Sequence, residues 1–317
     1  MKPGQGSISS GPLEENRTDR YVRCMRLLAP AKINLHLRVA PPRADGFHPL
    51  LSWMCTVHLF DTLDVVRADS PGVSLTCDHP TLACDESNLI VRIGNAFAEA
   101  LRSEQAPVTP ERFGARIELQ KRLPMGGGVG GGSSDAAATL SALASLWNAG
   151  WDPRRLADFA SRFGSDIAFF LHGPSAVCTG RGEVVRPIAP PMPSWALLVL
   201  PEISMPTPAV YRRFDEMKRG SDLRDEPDWK QWTALSAEAL LPRLVNDLEG
   251  PAFSISPELG RLRVEIEQIV GRPVRMSGSG STLFTLFDDQ RSASSAAELV
   301  VNKSKVRAVA VRVPGAS

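Results

Sequence analysis

The sequence predicts an α+β fold in two domains, because strand-like and helix-like segments are mixed along the chain without a regular βαβ repeat. No internal repeat connects these segments. The length of 317 residues allows one large domain or two ordinary ones. A proline-rich stretch at residues 187–193 favours two, since such stretches often separate domains. We therefore expect a disordered extension over residues 1–22, an N-terminal domain over residues 23–190 and a C-terminal domain over residues 191–317.

The first half of the chain contains both strand and helix patterns. Apolar and polar residues alternate in the predicted strands, which lie at residues 25–39, 61–68 and 113–119. Pro30 lies in the first of these strands and is expected to interrupt it. Apolar positions at helical spacing predict a helix over residues 88–102. A second helix is predicted to begin with Ser133 or Ser134 as its N-cap, and a third to run from Pro153 to a stop at Gly164.

The second half begins with a short apolar segment and then has mainly helical patterns. Strands are predicted at residues 195–200, at 274–287 as strand-turn-strand, and at 306–313. Residues 257–270 have the spacing of a helix. The charged residues 220–230 are expected to form a loop.

Composition excludes several classes of protein. The chain has 36 basic and 35 acidic residues, so its net charge of +1 predicts no nucleic-acid partner and no attraction to an anionic membrane. Its 5 cysteines form no Cys-x-x-Cys pair, which disfavours a disulfide framework or a zinc cluster. No apolar run reaches the roughly 20 residues of a membrane helix, and no signal-peptide pattern occurs. We therefore expect a cytoplasmic protein.

The strongest functional signal is the glycine-rich segment at residues 124–135, which places six glycines between a predicted strand and a predicted helix. Backbone N–H groups and the helix dipole favour an anion there, and glycine lets the backbone approach phosphate oxygens closely. The segment lacks the Gly-Lys-Ser/Thr of a Walker A loop, so it predicts a different phosphate-binding loop. The alternative is a flexible Gly/Ser linker, which the amphipathic helix directly after it disfavours.

Phosphoryl transfer also needs a residue that orients or deprotonates the attacking hydroxyl, and positive charge near the phosphates. Lys32 and Asn34 are expected on one face of a strand whose other face is apolar. An ordinary edge-strand lysine is the alternative. Asp166 directly precedes an apolar run, where a carboxylate is costly unless it is paired, and a helix N-cap is the alternative there.

Two further segments have binding signals. A turn at residues 45–46 is followed by Phe47 and His48, which together can stack on a base and hydrogen-bond its edge. A hairpin turn with a surface histidine is the alternative. Residues 277–282, with the sequence Ser-Gly-Ser-Gly-Ser-Thr, can donate hydrogen bonds to phosphates or form a plain glycine turn between strands.

Three of these segments resemble, in order, the signature motifs of the GHMP kinases, named for the galactose, homoserine, mevalonate and phosphomevalonate enzymes. They lie at residues 29–35, 124–137 and 277–282. Other segments resemble the branch of that superfamily that acts on a cytidine diphosphate-linked methylerythritol, and they lie at residues 43–50, 87–90, 169–173, 180–183 and 246–249. The resemblance implies a two-domain GHMP kinase fold: an N-terminal domain with a mixed sheet and helices, a C-terminal α/β domain, and an active site in the cleft between them.

The resemblance implies that ATP phosphorylates the 2-hydroxyl of the methylerythritol unit in the non-mevalonate isoprenoid pathway, giving the 2-phosphate and ADP. It makes Lys32 and Asp166 catalytic, and Asn34, Phe47 and His48 substrate-binding. The residues that it assigns to ATP are Asn88, Lys121, Pro124, Met125, Gly126, Gly127, Gly128, Val129, Gly130, Gly131, Gly132, Ser133 and Ser134. ATP would arrive with Mg²⁺, for which the sequence offers no clear protein ligand.

One departure from the family concerns Phe47, where a tyrosine is usual: the ring keeps a stacking face and loses a hydroxyl group. Two alternatives stay open. The chain is another small-molecule kinase of the mevalonate or homoserine type, or it is a regulatory protein that binds ATP without catalysis, which the retention of Lys32 and Asp166 disfavours. The expected partner is the small-molecule substrate, and the expected state is a monomer or weak homodimer.

Overall fold

The computed structural model describes residues 24–104 and 109–314, which form two β-sheets with helices packed against them. The predicted α+β fold class is confirmed. The extension predicted over residues 1–22 lies outside the described residues. Within the described ranges, no helix has the length and apolar character needed to cross a lipid bilayer.

The first sheet has six strands in the described part of the chain. They are β1 (Met25–Val39), β2 (Leu50–Arg67), β3 (Gly72–Cys77), β4 (Gly114–Gln120), β5 (Ser175–Thr179) and β6 (Val184–Pro187). The long β2 pairs antiparallel with β1 on one side. On its other side it pairs antiparallel with β4 near one end and with β5 near the other. The parallel pair of β3 with β4 and the antiparallel pair of β5 with β6 complete the sheet.

The second sheet consists, among the described residues, of β7 (Trp195–Val199), β8 (Arg275–Met276), β9 (Leu283–Phe287) and β10 (Ala308–Arg312). Its order is β10-β7-β9-β8, and every pair is antiparallel. The last strand of the first sheet ends at Pro187 and β7 begins at Trp195, so the proline-rich stretch connects the two sheets. The domain limits at residues 190 and 191 stay predictions.

The helices of the described ranges are α1 (Leu89–Glu104), α2 (Gly131–Leu146), α3 (Pro153–Ser161), α4 (Ser165–His172), α5 (Thr207–Glu216), α6 (Trp229–Thr233), α7 (Ala237–Leu240), α8 (Glu249–Ile255), α9 (Pro257–Val270) and α10 (Gln290–Ser304). Short 3-10 helices lie at Pro110–Phe113 and Leu241–Arg243. Helices α1 to α3 share an apolar core with the first sheet. A second core contains residues of both sheets, and a third joins the second sheet to α5, α8, α9 and α10.

The expected interruption at Pro30 is wrong. Strand β1 continues through it, and the pairing with β2 only shifts register between Pro30 and Ala31. A register shift accommodates the missing proline N–H without ending the strand. The strand predicted at residues 61–68 is the second part of β2, which begins at Leu50. The first eight residues of β2 are all buried, so they lack the apolar–polar alternation that identifies a strand with one exposed face.

The helix start predicted at Pro153 is confirmed, but the predicted serine N-cap and the predicted stop at Gly164 are wrong. Helix α2 begins at Gly131 with Gly130 as N-cap, before either serine. Helix α3 ends at Ser161, and Gly164 is instead the N-cap of α4, which the sequence analysis missed. Helix α4 contains a run of apolar residues without an amphipathic period, so spacing gives no helical signal there. The structure confirms the helices predicted at residues 88–102 and 257–270 and the strands predicted from residue 195 onward. Most of the predicted ends agree with the observed ends to within one or two residues.

Candidate active site

A cleft of about 1480 Å³ is lined by residues from both halves of the chain. It brings together most of the residues proposed from sequence. Those that line it are Lys32, Asn34, Phe47, His48, Asn88, Lys121, Pro124, Met125, Gly126, Gly127, Gly128, Gly130, Gly131, Gly132, Ser133 and Asp166. Two of the proposed residues, Val129 and Ser134, do not line it. Val129 is buried in the core that joins the sheets, and Ser134 is buried within α2.

The glycine-rich loop ends at the N-terminus of α2. Gly130 has φ 71°, a left-handed conformation that favours glycine, and it caps the helix without a side chain. The N–H of Ser134 already donates to the carbonyl of Gly130 over 2.9 Å. The N–H groups of residues 131–133 therefore precede the first helical hydrogen bond, and they provide donors and a positive dipole end at the cleft.

The loop is held by the second half of the chain. Thr282 N–H donates to the carbonyl of Gly127 over 3.1 Å, and Ser277 Oγ donates to the carbonyl of Gly128 over 3.0 Å. A Cβ at Gly128, which has φ 76°, would lie 2.4 Å from the carbonyl oxygen of Ser277. The close approach of these two backbone segments thus requires glycine at this position. Residues 277–282 therefore act on the loop itself, in addition to the exposure of Gly278 and Ser279 to the cleft.

Lys32 and Asn34 share one face of β1, as predicted. Lys32 Nζ donates to Asn34 Oδ1 over 2.5 Å and lies 3.4 Å from Asp166 Oδ2. Asn34 Nδ2 in turn donates to Ser52 Oγ over 2.8 Å. The lysine is buried although β1 is an edge strand, and Asp166 lies in the first turn of α4 beyond its N-cap. Neither the ordinary edge lysine nor the N-cap aspartate therefore describes this site. A lysine, an amide and a carboxylate meet beside the glycine-rich loop.

Lys121 lies between two buried carboxylates. Its Nζ is 2.6 Å from Asp61 Oδ2 and 2.6 Å from Asp135 Oδ2. Burial by itself lowers the pKa of Lys121, but the charges of the two carboxylates outweigh it and raise that pKa. Burial also raises the pKa of Asp135, and the nearby Asp61 carboxylate adds to the rise against the opposing charge of Lys121. One lysine therefore balances one of the two acids, and the pKa of Asp135, raised to about 7, leaves this carboxyl partly protonated near neutral pH.

Asp61 also fixes the backbone that leads into the glycine-rich loop. Its Oδ1 accepts from the N–H groups of Arg122 and Leu123, over 2.5 and 2.8 Å. Asn88 plays a similar local part at the edge of the cleft. Its Nδ2 donates to the carbonyl of Ala83 over 2.7 Å, and its Oδ1 accepts from the N–H of Ile90, so it holds the start of α1.

The far end of the cleft contains Phe47 and His48 on the turn between β1 and β2. Phe47 is 51% exposed, whereas His48 is buried, so the surface-histidine alternative is wrong. His48 Nδ1 is 2.9 Å from the carbonyl of Ala40, and Nε2 is 3.3 Å from Asp215 Oδ1. The ring of Tyr211 lies 5.2 Å from the ring of His48. Burial raises the pKa of Tyr211 to about 12, so its phenol stays protonated at neutral pH.

Sequence reasoning missed several residues of this cleft. Tyr211 and Asp215 come from α5, whose start after Pro206 and apolar spacing are readable signals of a helix but not of a site. Arg181 lines the cleft from the turn between β5 and β6, and its guanidinium carbon is 4.8 Å from the centre of the Phe47 ring. Asp61 gave no local signal, because its partner Lys121 is 60 residues away.

Comparison with known proteins identifies relatives over most of the chain. The family model for the GHMP kinases N terminal domain matches residues 88–174, and the model for the GHMP kinases C terminal matches residues 223–304. The 4-diphosphocytidyl-2-C-methyl-D-erythritol kinase of Prochlorococcus marinus is 36% identical over 296 residues, which cover 90% of this chain and 91% of that protein. The enzyme of the same name from Cereibacter sphaeroides is 36% identical over 275 residues, 85% of this chain and 92% of that one.

Solved structures show the same likeness. The crystal structure of 4-(cytidine 5'-diphospho)-2C-methyl-D-erythritol kinase superposes with a TM-score of 0.75 at 37% identity, covering 92% of this chain and 100% of that chain. Homoserine kinase from Cytophaga hutchinsonii superposes with a TM-score of 0.66 at 16% identity, over 92% of this chain and 95% of that one. The second likeness is one of fold alone.

The raised pKa of Asp135 predicts a pH-dependent stability that Asp135→Asn removes. The folded-state pKa of about 7 lies above the ordinary aspartate pKa of 3.8, so between these values the folded state binds more protons than the unfolded state. Rising pH therefore destabilises the wild type relative to the variant, by about 1–4 kcal/mol in total. Urea denaturation of both proteins between pH 4 and pH 7.5 measures this difference. A stability difference that stays constant across that range would contradict the assignment.

Proposed function

The chain belongs to the 4-diphosphocytidyl-2-C-methyl-D-erythritol kinase family of the GHMP kinases, and from that premise we propose that it phosphorylates the 2-hydroxyl of 4-(cytidine 5'-diphospho)-2-C-methyl-D-erythritol. It is an ATP-dependent small-molecule kinase, and its two-domain GHMP kinase fold is the one expected from the motifs. One observation carries the substrate proposal: a single cleft contains the glycine-rich loop, the Lys32–Asp166 pair beside it, and an aromatic and a histidine at its far end.

The phosphates of ATP are proposed to bind at the glycine-rich loop. Backbone N–H groups at the N-terminus of α2 supply hydrogen bonds, and the absence of side chains at the glycines lets phosphate oxygens come close. Lys121 and Asn88 are proposed to shape this part of the site by holding α2 and the start of α1, because their polar atoms already contact Asp61, Asp135, Ala83 and Ile90.

Mg²⁺ fits this site as an ion bound mainly to the nucleotide. In the described ranges, no three His, Cys, Asp or Glu side chains are placed together to bind a metal. Phosphate oxygens and water would therefore provide most of its ligands, which is the usual arrangement for Mg²⁺. When bound, the ion neutralises negative charge on the β- and γ-phosphates.

The transfer is proposed to be direct, without a covalent enzyme intermediate. A bond forms between the substrate 2-oxygen and the γ-phosphorus, the bond from that phosphorus to the β,γ-bridging oxygen breaks, and the hydroxyl proton leaves toward Asp166. Asp166 accepts this proton or mainly orients the hydroxyl. Lys32 lies 3.4 Å from Asp166, and its positive charge stabilises the carboxylate and the reacting phosphoryl group. Asn34 fixes the lysine through the 2.5 Å hydrogen bond from Nζ.

The cytosine is proposed to bind at the far end of the cleft, against Phe47 and His48. The exposed Phe47 ring offers a face for stacking, and Tyr211 adds a second aromatic ring close to His48. The finer expectations of a cytoplasmic enzyme that works as a monomer or weak homodimer stay predictions. Light scattering on the purified protein measures the second of them.

The proposed substrate is tested by ADP release from Mg²⁺-ATP with the cytidine diphosphate-linked methylerythritol, mevalonate and homoserine in parallel. We expect turnover with the cytidine substrate alone, because the other two alcohols have no base for the Phe47 and His48 end of the cleft. Turnover with mevalonate or homoserine instead would leave the phosphate loop in place and remove the cytosine site. ATP binding without ADP release from any of the three would indicate a non-catalytic nucleotide-binding protein.

Replacing Asp166 with asparagine is expected to lower kcat on the order of a hundredfold, because the amide cannot accept the hydroxyl proton. The KM for ATP should stay close to the wild-type value, since Asp166 lies on the acceptor side of the reacting phosphate in the proposed arrangement. Steady-state kinetics, with circular dichroism as the check on folding, measures both constants. Near-normal turnover by the folded variant would exclude Asp166 from the chemical step.

Replacing Phe47 with alanine is expected to raise the KM for the cytidine substrate about tenfold, because stacking on a base contributes about 1–3 kcal/mol. The KM for ATP should not change. Phe47→Tyr is the matched variant, since it keeps the ring and adds a hydroxyl group, and its substrate KM should be equal to or lower than that of the wild type. Equal increases in both KM values for Phe47→Ala would contradict the cytosine assignment.

A further inference from the structure

We propose that Arg181 binds the diphosphate group of the acceptor substrate and thereby contributes to the selection of a nucleoside diphosphate-linked alcohol. This inference rests on the proposed function, because it places the base of the substrate at Phe47 and the reacting hydroxyl at Asp166. The diphosphate joins these two parts of the substrate, so it must lie between the two sites. Arg181 lines the cleft beside Phe47, and the next residue, Gly182, is close to Asp166.

Arg181 is on a fixed turn between β5 and β6. The carbonyl of Gly180 accepts from the N–H of Leu50 over 2.8 Å, and the N–H of Gly182 donates to the carbonyl of Thr179 over 3.0 Å. The N–H of Arg181 donates to Glu183 Oε2 over 2.6 Å. These hydrogen bonds attach the turn to the start of β2 and hold its backbone, so the arginine extends from a defined position.

The turn contacts both ends of the proposed acceptor site. The guanidinium carbon of Arg181 lies 4.8 Å from the centre of the Phe47 ring, on one face of it. The next residue, Gly182, is beside Asp166: a Cβ built on it would be 3.9 Å from Asp166 Oδ1 and 3.3 Å from Ser165 Cβ. Arg181 therefore connects the place proposed for the base with the place proposed for the hydroxyl. The exposed part of Phe47 leaves ring surface for the base.

The guanidinium group of Arg181 has hydrogen-bond donors available for an anion. Its Nε forms an ion pair with Glu183 Oε1 at 3.7 Å, too long for a hydrogen bond, and among the described residues none of the guanidinium N–H groups donates a hydrogen bond. The guanidinium is a planar group with several donors, which suits phosphate oxygens.

In the described part of the chain, the other cations of the cleft already have close polar or aromatic partners, or have no contact with Asp166 and Phe47. Lys32 contacts Asn34 and Asp166, and Lys121 contacts two carboxylates. Arg162 lies over the Phe159 ring and donates to the carbonyl of Phe159. Arg212 is exposed on α5, and no contact of it with Asp166 or Phe47 is seen among the described residues. Arg181 is thus the cation whose placement matches the diphosphate.

Steady-state kinetics of the full-length protein tests the proposal with Arg181→Gln and Arg181→Lys. Arg181→Gln should raise the KM for the acceptor about tenfold, with the kcat and the KM for ATP changed less than about twofold, because a charge-assisted hydrogen bond to the diphosphate is lost. Arg181→Lys should give an intermediate KM, since it keeps the charge but not the planar donors. The acceptor KM of the wild type should rise more steeply with salt than that of Arg181→Gln.

Competitive inhibition by cytidine and by cytidine 5'-diphosphate separates the phosphates from the base. In the wild type the diphosphate should inhibit at lower concentration than cytidine, and Arg181→Gln should reduce this difference about tenfold while the inhibition constant of cytidine is unchanged. Arg186→Gln is the matched control, because Arg186 is an exposed arginine of the same hairpin that pairs with Glu226 and does not line the cleft. It should behave as the wild type.

Four results would overturn the proposal. In the first, Arg181→Gln behaves like Arg186→Gln. In the second, it raises the KM for ATP and leaves the acceptor KM unchanged. In the third, it weakens inhibition by cytidine and by cytidine 5'-diphosphate equally, which would mean that Arg181 acts only on the Phe47 ring. The fourth is a diphosphate-specific loss in Arg212→Gln that Arg181→Gln lacks. If the wild type does not phosphorylate the cytidine substrate at all, the proposed function itself has failed and this inference fails with it.

Discussion

The buried contact of Lys121 with Asp61 and Asp135 is the interaction on which the candidate site depends. It joins the central strand β2, the segment after β4 and the second turn of α2, all in the interior. Glycines have no side chains that could hold one conformation. The ends of the glycine-rich loop must therefore be fixed by contacts with other residues. Asp61 fixes the entrance through the N–H groups of Arg122 and Leu123, and Asp135 fixes the exit at the helix.

The middle of the same loop is fixed by the second half of the chain. Ser277 accepts a hydrogen bond from the N–H of Asn34 and donates one to the carbonyl of Gly128, so one hydroxyl connects β1, the loop and the turn before β9. Lys32 completes the connection, because its N–H donates to the carbonyl of Val129. Lys32, which is proposed to lie beside the reacting groups, therefore belongs to the same hydrogen-bonded unit as the glycine-rich loop. These hydrogen bonds join parts of the site that are distant in the sequence.

The sequence predicted those features that depend on residues close together in the chain. The glycine-rich loop, the shared face of Lys32 and Asn34, and the α+β class follow from composition and spacing. The start of β2 did not, because residues buried on both faces have no alternation. The serine caps of α2 were wrong because a glycine in the left-handed conformation begins the helix earlier. The partners of Lys121, and the approach of Arg181 to Phe47, depend on tertiary contacts that no single segment encodes.

The charges in the cleft bear on the proposal that phosphates bind at the glycine-rich loop, which has no lysine of its own. Lys32 is paired with Asp166, and Lys121 faces two acids, so ionised side chains near the loop add no net positive charge. A second ionised acid at α2 would repel a phosphate group close to the helix N-terminus. Burial raises the pKa of Asp135 to about 7, so that near neutral pH this carboxyl is only partly ionised and the unfavourable charge is reduced. In the proposed arrangement, attraction for the phosphates comes chiefly from backbone N–H groups and the helix dipole, whose positions the buried lysine maintains.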